Sequence, residues 1–234
     1  MSEKNQTTSP DSGILYSVAV PIGNIDDITR RAEKILGSVD VIACEHTQKF
    51  RDLANRASIK TNAKVLAYHS YNEAESAKGL VKLLEEGKNL ALVSDAGTPR
   101  ISDPGFHLFR LAHEKNIKIV PVPGVSALTA IASVAPIPLE PLLFLGFITP
   151  KPGKRINLLK KYLDFQGTIC FYESVHRIEK LILSFLEVWG NKEIFIAREL
   201  TKQYEEFFSG TVEEAVSWIK GKKGEFVILV RKND

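Results

Sequence analysis

What this chain has little of narrows the reading first. Only two cysteines, Cys44 and Cys170, occur in 234 residues, each in an apolar strand-like run and far apart in sequence. They read as buried thiols, which suits a reducing compartment. No apolar run approaches the length of a membrane span, and the polar residues 1–12 lack the apolar core of a secretory leader. A cytoplasmic protein without membrane contact is therefore expected. Strong charge of one sign is also missing. The net charge is only +3, so any nucleic-acid contact has to come from a local basic face.

Several chemical signatures are absent as well. No glycine is followed two positions later by another, which removes the dinucleotide fingerprint. A phosphate loop ending in Gly-Lys-Ser/Thr is missing, and so is the Gly-x-Ser-x-Gly elbow of a hydrolase. The histidines at 46, 69, 107, 113 and 176 show no paired metal-ligand spacing, so no metal is expected.

What is present is an ordinary globular composition, 44% apolar and 25% charged, enough for a substantial core. Apolar runs at 15–20, 39–44, 64–68, 89–93 and 118–122 alternate with helical patterns. That alternation predicts an α/β domain with a largely parallel, doubly wound sheet. Asp26 or Asp27 is expected to cap the first helix and Gly37 to stop it, and Thr47 to cap the second. A further strand at 142–147 is followed by Thr149-Pro150-Lys151-Pro152-Gly153-Lys154-Arg155, a linker by its prolines, glycine and charge. The organisation read from this is a loose tail at 1–13, a first domain at 14–148, a linker at 149–155 and a second α/β domain at 156–234. Short strand connections predict a mixed sheet in the second domain, with strands near 168–172, 193–198, 203–208 and 225–231. Thr211 and Glu214 form a capping box there.

The chain is organised around Ser94–Gly105, Ser-Asp-Ala-Gly-Thr-Pro-Arg-Ile-Ser-Asp-Pro-Gly. It leaves an apolar strand and enters a helix expected to start at Pro104 with Asp103 as its cap. Open α/β sheets bind ligands at that position. Two glycines and two prolines suit a preshaped cradle, and an ordinary strand–helix connection has the same local grammar. Three more backbone-rich turns follow strands: Pro21–Asn24, Pro123–Ser126 and Phe171–Ser174. Such turns offer amides and carbonyls with little charge, which suits a nucleoside carrying an amino-acid tail.

The residues in these turns resemble a known family. Leu15–Thr29 (LYSVAVPIGNIDDIT), Val93–Gly105, Pro123–Leu128, Gly146-Phe147, Phe171–Ser174 with His176-Arg177, Ala197–Lys202 and Gly224–Val227 are similar, in order, to the motifs of the ribosomal RNA small subunit methyltransferase I family. That family is a branch of the tetrapyrrole (corrin/porphyrin) methylases. The resemblance implies a two-domain tetrapyrrole-methylase-like fold, a homodimer, and S-adenosyl-L-methionine held between the domains. It also implies methylation of a cytidine ribose 2′-hydroxyl in the decoding region of 16S rRNA. A tetrapyrrole or other small-molecule methylase, or an RNA- or ribosome-associated protein that binds the cofactor and turns over weakly, are the competing readings.

Carried over position by position, the cofactor contacts are Asp95, Gly97, Thr98, Pro99 and Ile101, with Gly124, Val125 and Ser126. Ile22 and Gly23 join them from the first turn, and Tyr172 and Ala197 from the second domain. Glu45, Asp103 and Glu173 are the candidate proton acceptors, with His46 beside them. Each has a structural alternative: Asp103 as a helix cap, and Glu45 or Glu173 as partners of Arg177 or Arg198. Lys151, Lys154, Arg155 and Arg100 are the candidate RNA-phosphate contacts, with Lys49 and Arg51 as further basic residues that could join them. Three stretches depart from the family pattern. Glu45-His46-Thr47-Gln48 stands for Glu-Asp-Thr-Arg, Arg100 for a glycine, and Ser70-Tyr71 for Glu-His inside Tyr68–Glu73.

Overall fold

In the computed structural model, residues 12–232 are described. The tail expected at 1–13 lies outside them up to residue 11. The chain divides into two compact units, one up to Ser126 and one from Ala127.

The first unit holds five parallel strands, β1 (Leu15–Val18), β2 (Val41–Cys44), β3 (Lys64–Ala67), β4 (Leu90–Val93) and β5 (Ile119–Val122), in the order β3-β2-β4-β1-β5. Helices α1 (Arg30–Ser38), α2 (Thr47–Arg56), α3 (Glu73–Glu85) and α4 (Phe106–Glu114) connect them. The central strands are apolar at nearly every position because both sheet faces are covered. Val41, Ala43, Leu90 and Leu92 pack with Leu80, Leu84, Leu108 and Ala112 of α3 and α4. The alternate residues Ile42, Cys44, Ala91 and Val93 pack with Ala32, Leu36, Phe50 and Ala54 of α1 and α2. The doubly wound parallel sheet read from the alternation is what forms.

Helix starts differ from expectation. Asp26 and Asp27 lie in a short 3-10 turn capped by Asn24, and α1 is capped by Thr29, whose hydroxyl accepts from Ala32 N–H at 3.1 Å. Gly37 does not stop α1, which runs through it to Ser38. Thr47 is the first residue of α2 rather than its cap; His46 takes the cap position without a side-chain bond to the helix. Asp103 does not cap α4 either. That helix begins at Phe106 behind Gly105, and the distant carboxylate of Glu73 serves it: Oε1 accepts from Gly105 N–H at 3.0 Å and His107 N–H at 2.8 Å.

The second unit begins with α5 (Ala127–Ala132). It continues with β6 (Leu142–Phe147), α6 (Pro152–Lys160), β7 (Thr168–Ser174), α7 (Ile178–Trp189), β8 (Glu193–Arg198), β9 (Glu206–Thr211), α8 (Val212–Trp218) and β10 (Glu225–Arg231). Its sheet order is β6-β7-β10-β8-β9, with β6 parallel to β7 and every other pair antiparallel, so the mixed sheet is observed. The strand at 142–147 forms, but it belongs to this sheet rather than to the first. Residues 152–155, read as linker, are the first turn of α6. The strand expected at 203–208 shifts to Glu206–Thr211 because Glu199 and Thr201 turn the chain at positive φ first. The Thr211–Glu214 capping box is present. Phe171, Phe185 and Trp189 centre the core, the last two stacked with ring centroids 5.1 Å apart.

Candidate functional site

The strand order places a crossover reversal between β4 and β1. The connection from β1 leaves past β4 toward β2, while the connection from β4 leaves past β1 toward β5. Ligand clefts of open α/β sheets form at such a point. Here the turns beyond the two strands are joined: Val20 N–H donates to the Gly97 carbonyl and Gly97 N–H to the Val20 carbonyl, each at 2.9 Å. Gly97 sits at φ +77°, and a β-carbon there would lie 3.3 Å from Ile22 Cγ2. Ser94 Oγ donates to the Gly97 carbonyl at 3.2 Å, and Thr98 Oγ1 to the Val125 carbonyl at 2.9 Å. In that third turn a β-carbon on Gly124 would meet the Ala19 methyl at 3.0 Å. The expected set Ile22, Gly23, Asp95, Gly97, Thr98, Pro99, Ile101, Gly124, Val125 and Ser126 therefore lies on three turns at the carboxyl end of one sheet. Hydrogen bonds from the loop at Gly97 and Thr98 tie all three together, which a plain strand–helix connector does not require.

The turn after β2 joins through Asp95. Its Oδ1 accepts from His46 N–H at 3.2 Å, and its Oδ2 lies 2.6 Å from His46 Nδ1 and 2.7 Å from Lys49 Nζ. Lys49, read from the sequence as a basic residue for RNA phosphates, is here turned onto a carboxylate of the Ser94–Gly105 loop. Nothing local in the sequence marks the two as partners. Glu45, His46 and Asp95 bring donor atoms within 4.8 Å of one another, but the Lys49 ammonium already supplies positive charge there. A cavity of about 260 Å³ opens beside this group, lined by Ile22, Gly23, Lys49, Leu53 and Asp95 among others.

Asp103 lies within reach of these charges. Burial, then the charges of Glu45 and Asp95, raise its pKa from 3.8 to about 7. Arg100 occupies the left-handed region at φ 72°, the conformation that glycine adopts freely. Its guanidinium lies 5.6 Å from the Phe109 ring centroid, folded back on α4.

In the second unit the candidates are dispersed. Tyr172 accepts from Leu128 N–H at 2.9 Å through its hydroxyl, and its ring meets Phe144 and Phe147 edge-on. Ala197 has no exposed surface. Glu173, 3% exposed, is held by Arg177 Nε at 2.7 Å and by Ser174 N–H at 2.8 Å, the pairing given as its structural alternative. Arg155, expected to face RNA phosphates, is 6% exposed, with Nε donating to Ser184 Oγ at 2.8 Å. Packing of the first turn of α6 against α7 withdraws its charge from the surface. Lys151 and Lys154 are exposed.

Comparison with known proteins defines the class first. Residues 14–216 match the family model Tetrapyrrole (Corrin/Porphyrin) Methylases. The fold is shared with a diphthine synthase at TM-score 0.71 and 14% identity, covering 94% of this chain and 90% of that one. It is shared also with a Thermus thermophilus uroporphyrin-III C-methyl transferase complexed with S-adenyl homocysteine, at TM-score 0.66 and 15% identity, covering 93% and 97%. Ribosomal RNA small subunit methyltransferase I of Halalkalibacterium halodurans is 41% identical over 95% of this chain and 77% of its own length. Its namesake in Leptospira biflexa is 42% identical over 94% and 91%. The chain belongs to the ribosomal RNA small subunit methyltransferase I family, within the tetrapyrrole methylases.

Proposed function

We propose that this chain uses S-adenosyl-L-methionine to methylate the ribose 2′-hydroxyl of a cytidine in the decoding region of 16S rRNA, on the small ribosomal subunit in the cytoplasm and as a homodimer. The observation that carries the cofactor part is the paired bond between Val20 and Gly97 at the crossover reversal, which closes a main-chain cradle around a glycine. Its donor set fits the group. Backbone amides and carbonyls suit an adenine edge and an amino-acid tail, Ile22 and Ile101 supply apolar walls, and Asp95 supplies a carboxylate for hydroxyl or ammonium donors. Tyr172 and Ala197 are further cofactor contacts that the family resemblance implies.

When bound, the cofactor supplies a methyl already activated by its sulfonium. The protein's tasks are then to align the ribose oxygen and to accept its proton. Asp103 is the proposed acceptor. A carboxyl with a pKa of about 7 exists in both forms at neutral pH, as a general base requires. Glu173 is engaged with Arg177, and Glu45 acts on Asp103 by its charge. Exposed Lys151 and Lys154 are proposed to hold RNA phosphates, and Arg100 to stand beside the entrance to the cradle.

The test is incubation with labelled cofactor and undermethylated small subunits, followed by mapping of the label. Label on a decoding-region cytidine ribose is expected. Absence of label from RNA, under conditions where the cofactor binds, overturns the proposal.

A further inference from the structure

Residues 68–73, where two family positions are replaced, form a fixed display. Tyr68 is fully buried, and its hydroxyl donates to Glu73 Oε1 at 3.2 Å. The same oxygen takes the Gly105 and His107 N–H groups, so this segment is pinned to the exit of the Ser94–Gly105 loop. Between the two pins a single 3-10 turn, Ser70–Asn72, carries Tyr71 outward. Tyr71 is 82% exposed, more than any other large hydrophobic side chain among the described residues. One face of its ring rests on His69, with centroids 5.1 Å apart and planes 11° from parallel. His69 in turn meets His46 edge-on at 6.0 Å, and His46 Nδ1 holds Asp95. A row of rings thus runs from solvent to the carboxylate of the Ser94–Gly105 loop.

Within its own turn Tyr71 has no apolar company: Ser70, Asn72, Ala74 and Glu75 are exposed and small or polar, which favours an isolated ring over a broad protein-docking patch. What a single rigid ring with one free face recognises is another flat ring. Stacking of this kind is tolerant of base identity and is the common device for seating unpaired bases. Holding Tyr71 against His69 beforehand lowers the ordering cost of each new stack.

We propose that Tyr71, backed by His69, is a stacking platform for an unpaired base of the RNA substrate next to the nucleotide being modified. This rests on the RNA reading given above. Two measurements separate them. In the first, KM for undermethylated small subunits is measured for wild type, Y71F, Y71L and Y71A, with cofactor Kd from calorimetry alongside. Y71F is expected within about twofold of wild type. Y71L and Y71A are expected to raise KM for the subunit by roughly 5- to 100-fold with cofactor Kd unchanged. An unchanged KM in Y71A, or a Y71L as good as Y71F, overturns the platform; so does a parallel loss of cofactor binding. In the second, a single-stranded oligoribonucleotide containing 2-aminopurine is titrated against the same variants. Quenching by wild type and Y71F but not by Y71A supports the platform, and equal quenching by all overturns it. If wild type labels no RNA at all, the proposed function fails while the second titration still decides the platform.

Discussion

Val20 and Gly97 exchange both of their backbone hydrogen bonds across the turns that leave β1 and β4, at 2.9 Å in each direction. In the bridge Gly97 sits at φ +77°, in the left-handed region. Replacing it by alanine puts a side chain into the left-handed region and a β-carbon 3.3 Å from Ile22 Cγ2. G97A is expected to lower unfolding stability by about 1–2 kcal/mol and to weaken cofactor binding at least about tenfold. Chemical denaturation and calorimetry check the two effects, and a stable G97A with unaltered cofactor affinity contradicts the cradle.

The proposed role of Asp103 ties activity as well as stability to pH. With its pKa raised to about 7, the proton-accepting form grows in as pH rises through that value, so kcat/KM is expected to climb across neutrality. D103N is expected to lose about 10²- to 10⁴-fold in rate and to flatten the profile. Stability runs the other way. Between its ordinary value of 3.8 and about 7 the folded chain holds a proton that the unfolded chain has lost, so this group removes stability as pH rises through that window. D103N abolishes that slope. Thermal melts at about pH 5 and pH 8 on both proteins read it directly; equal slopes would set Asp103 aside.

The basic stretch separates into two roles. K151Q with K154Q is expected to weaken RNA binding and to reduce the slope of log affinity against log salt by about 0.7 for each phosphate no longer neutralised, with the melting temperature unchanged. R155A is expected to do the reverse. It removes the buried guanidinium that donates to Ser184 Oγ, lowers stability by about 1–3 kcal/mol, and leaves the salt slope alone. A salt titration of both variants decides the assignment.

Arg100 is held at φ 72°, so its substitutions should sort by backbone rather than by charge. R100G is expected to stay within about 1 kcal/mol of wild type, since relief of the left-handed strain offsets removal of the guanidinium from the Phe109 ring. R100V is expected to lose about 2 kcal/mol, because a β-branched residue is poorly tolerated there. Urea midpoints for the pair check this ordering.

The first sheet was legible because its signal is local. Runs such as Leu90–Val93 are apolar at every position, which suits strands buried on both faces and connected by helices. Helix starts were not, because their partners lie elsewhere in the chain. Asp103 has the right chemistry for a cap, yet Glu73 reaches α4 from α3 and leaves Asp103 to its carboxylate neighbours. The strand Leu142–Phe147 was visible as a strand, but pairing with β7 is a property of register and not of its own residues. Likewise the charge of Arg155 gave no sign that α7 would cover it. The residues of Ser94–Gly105 were legible as motif, while the partners of Asp95, namely His46 and Lys49, depend on how α2 leaves β2.

The position of β1 has a consequence for how the protein is made. This strand lies between β4 and β5 and is paired along its length with Leu90–Val93 and Ile119–Val122. A chain emerging from its N-terminus therefore presents Leu15–Val18 long before either neighbour exists. Pairing with β4 can follow once Val93 is out, but the other edge of β1 is covered only after Val122 has cleared the synthesising ribosome, and until then that edge stays open to chaperones and to other nascent chains.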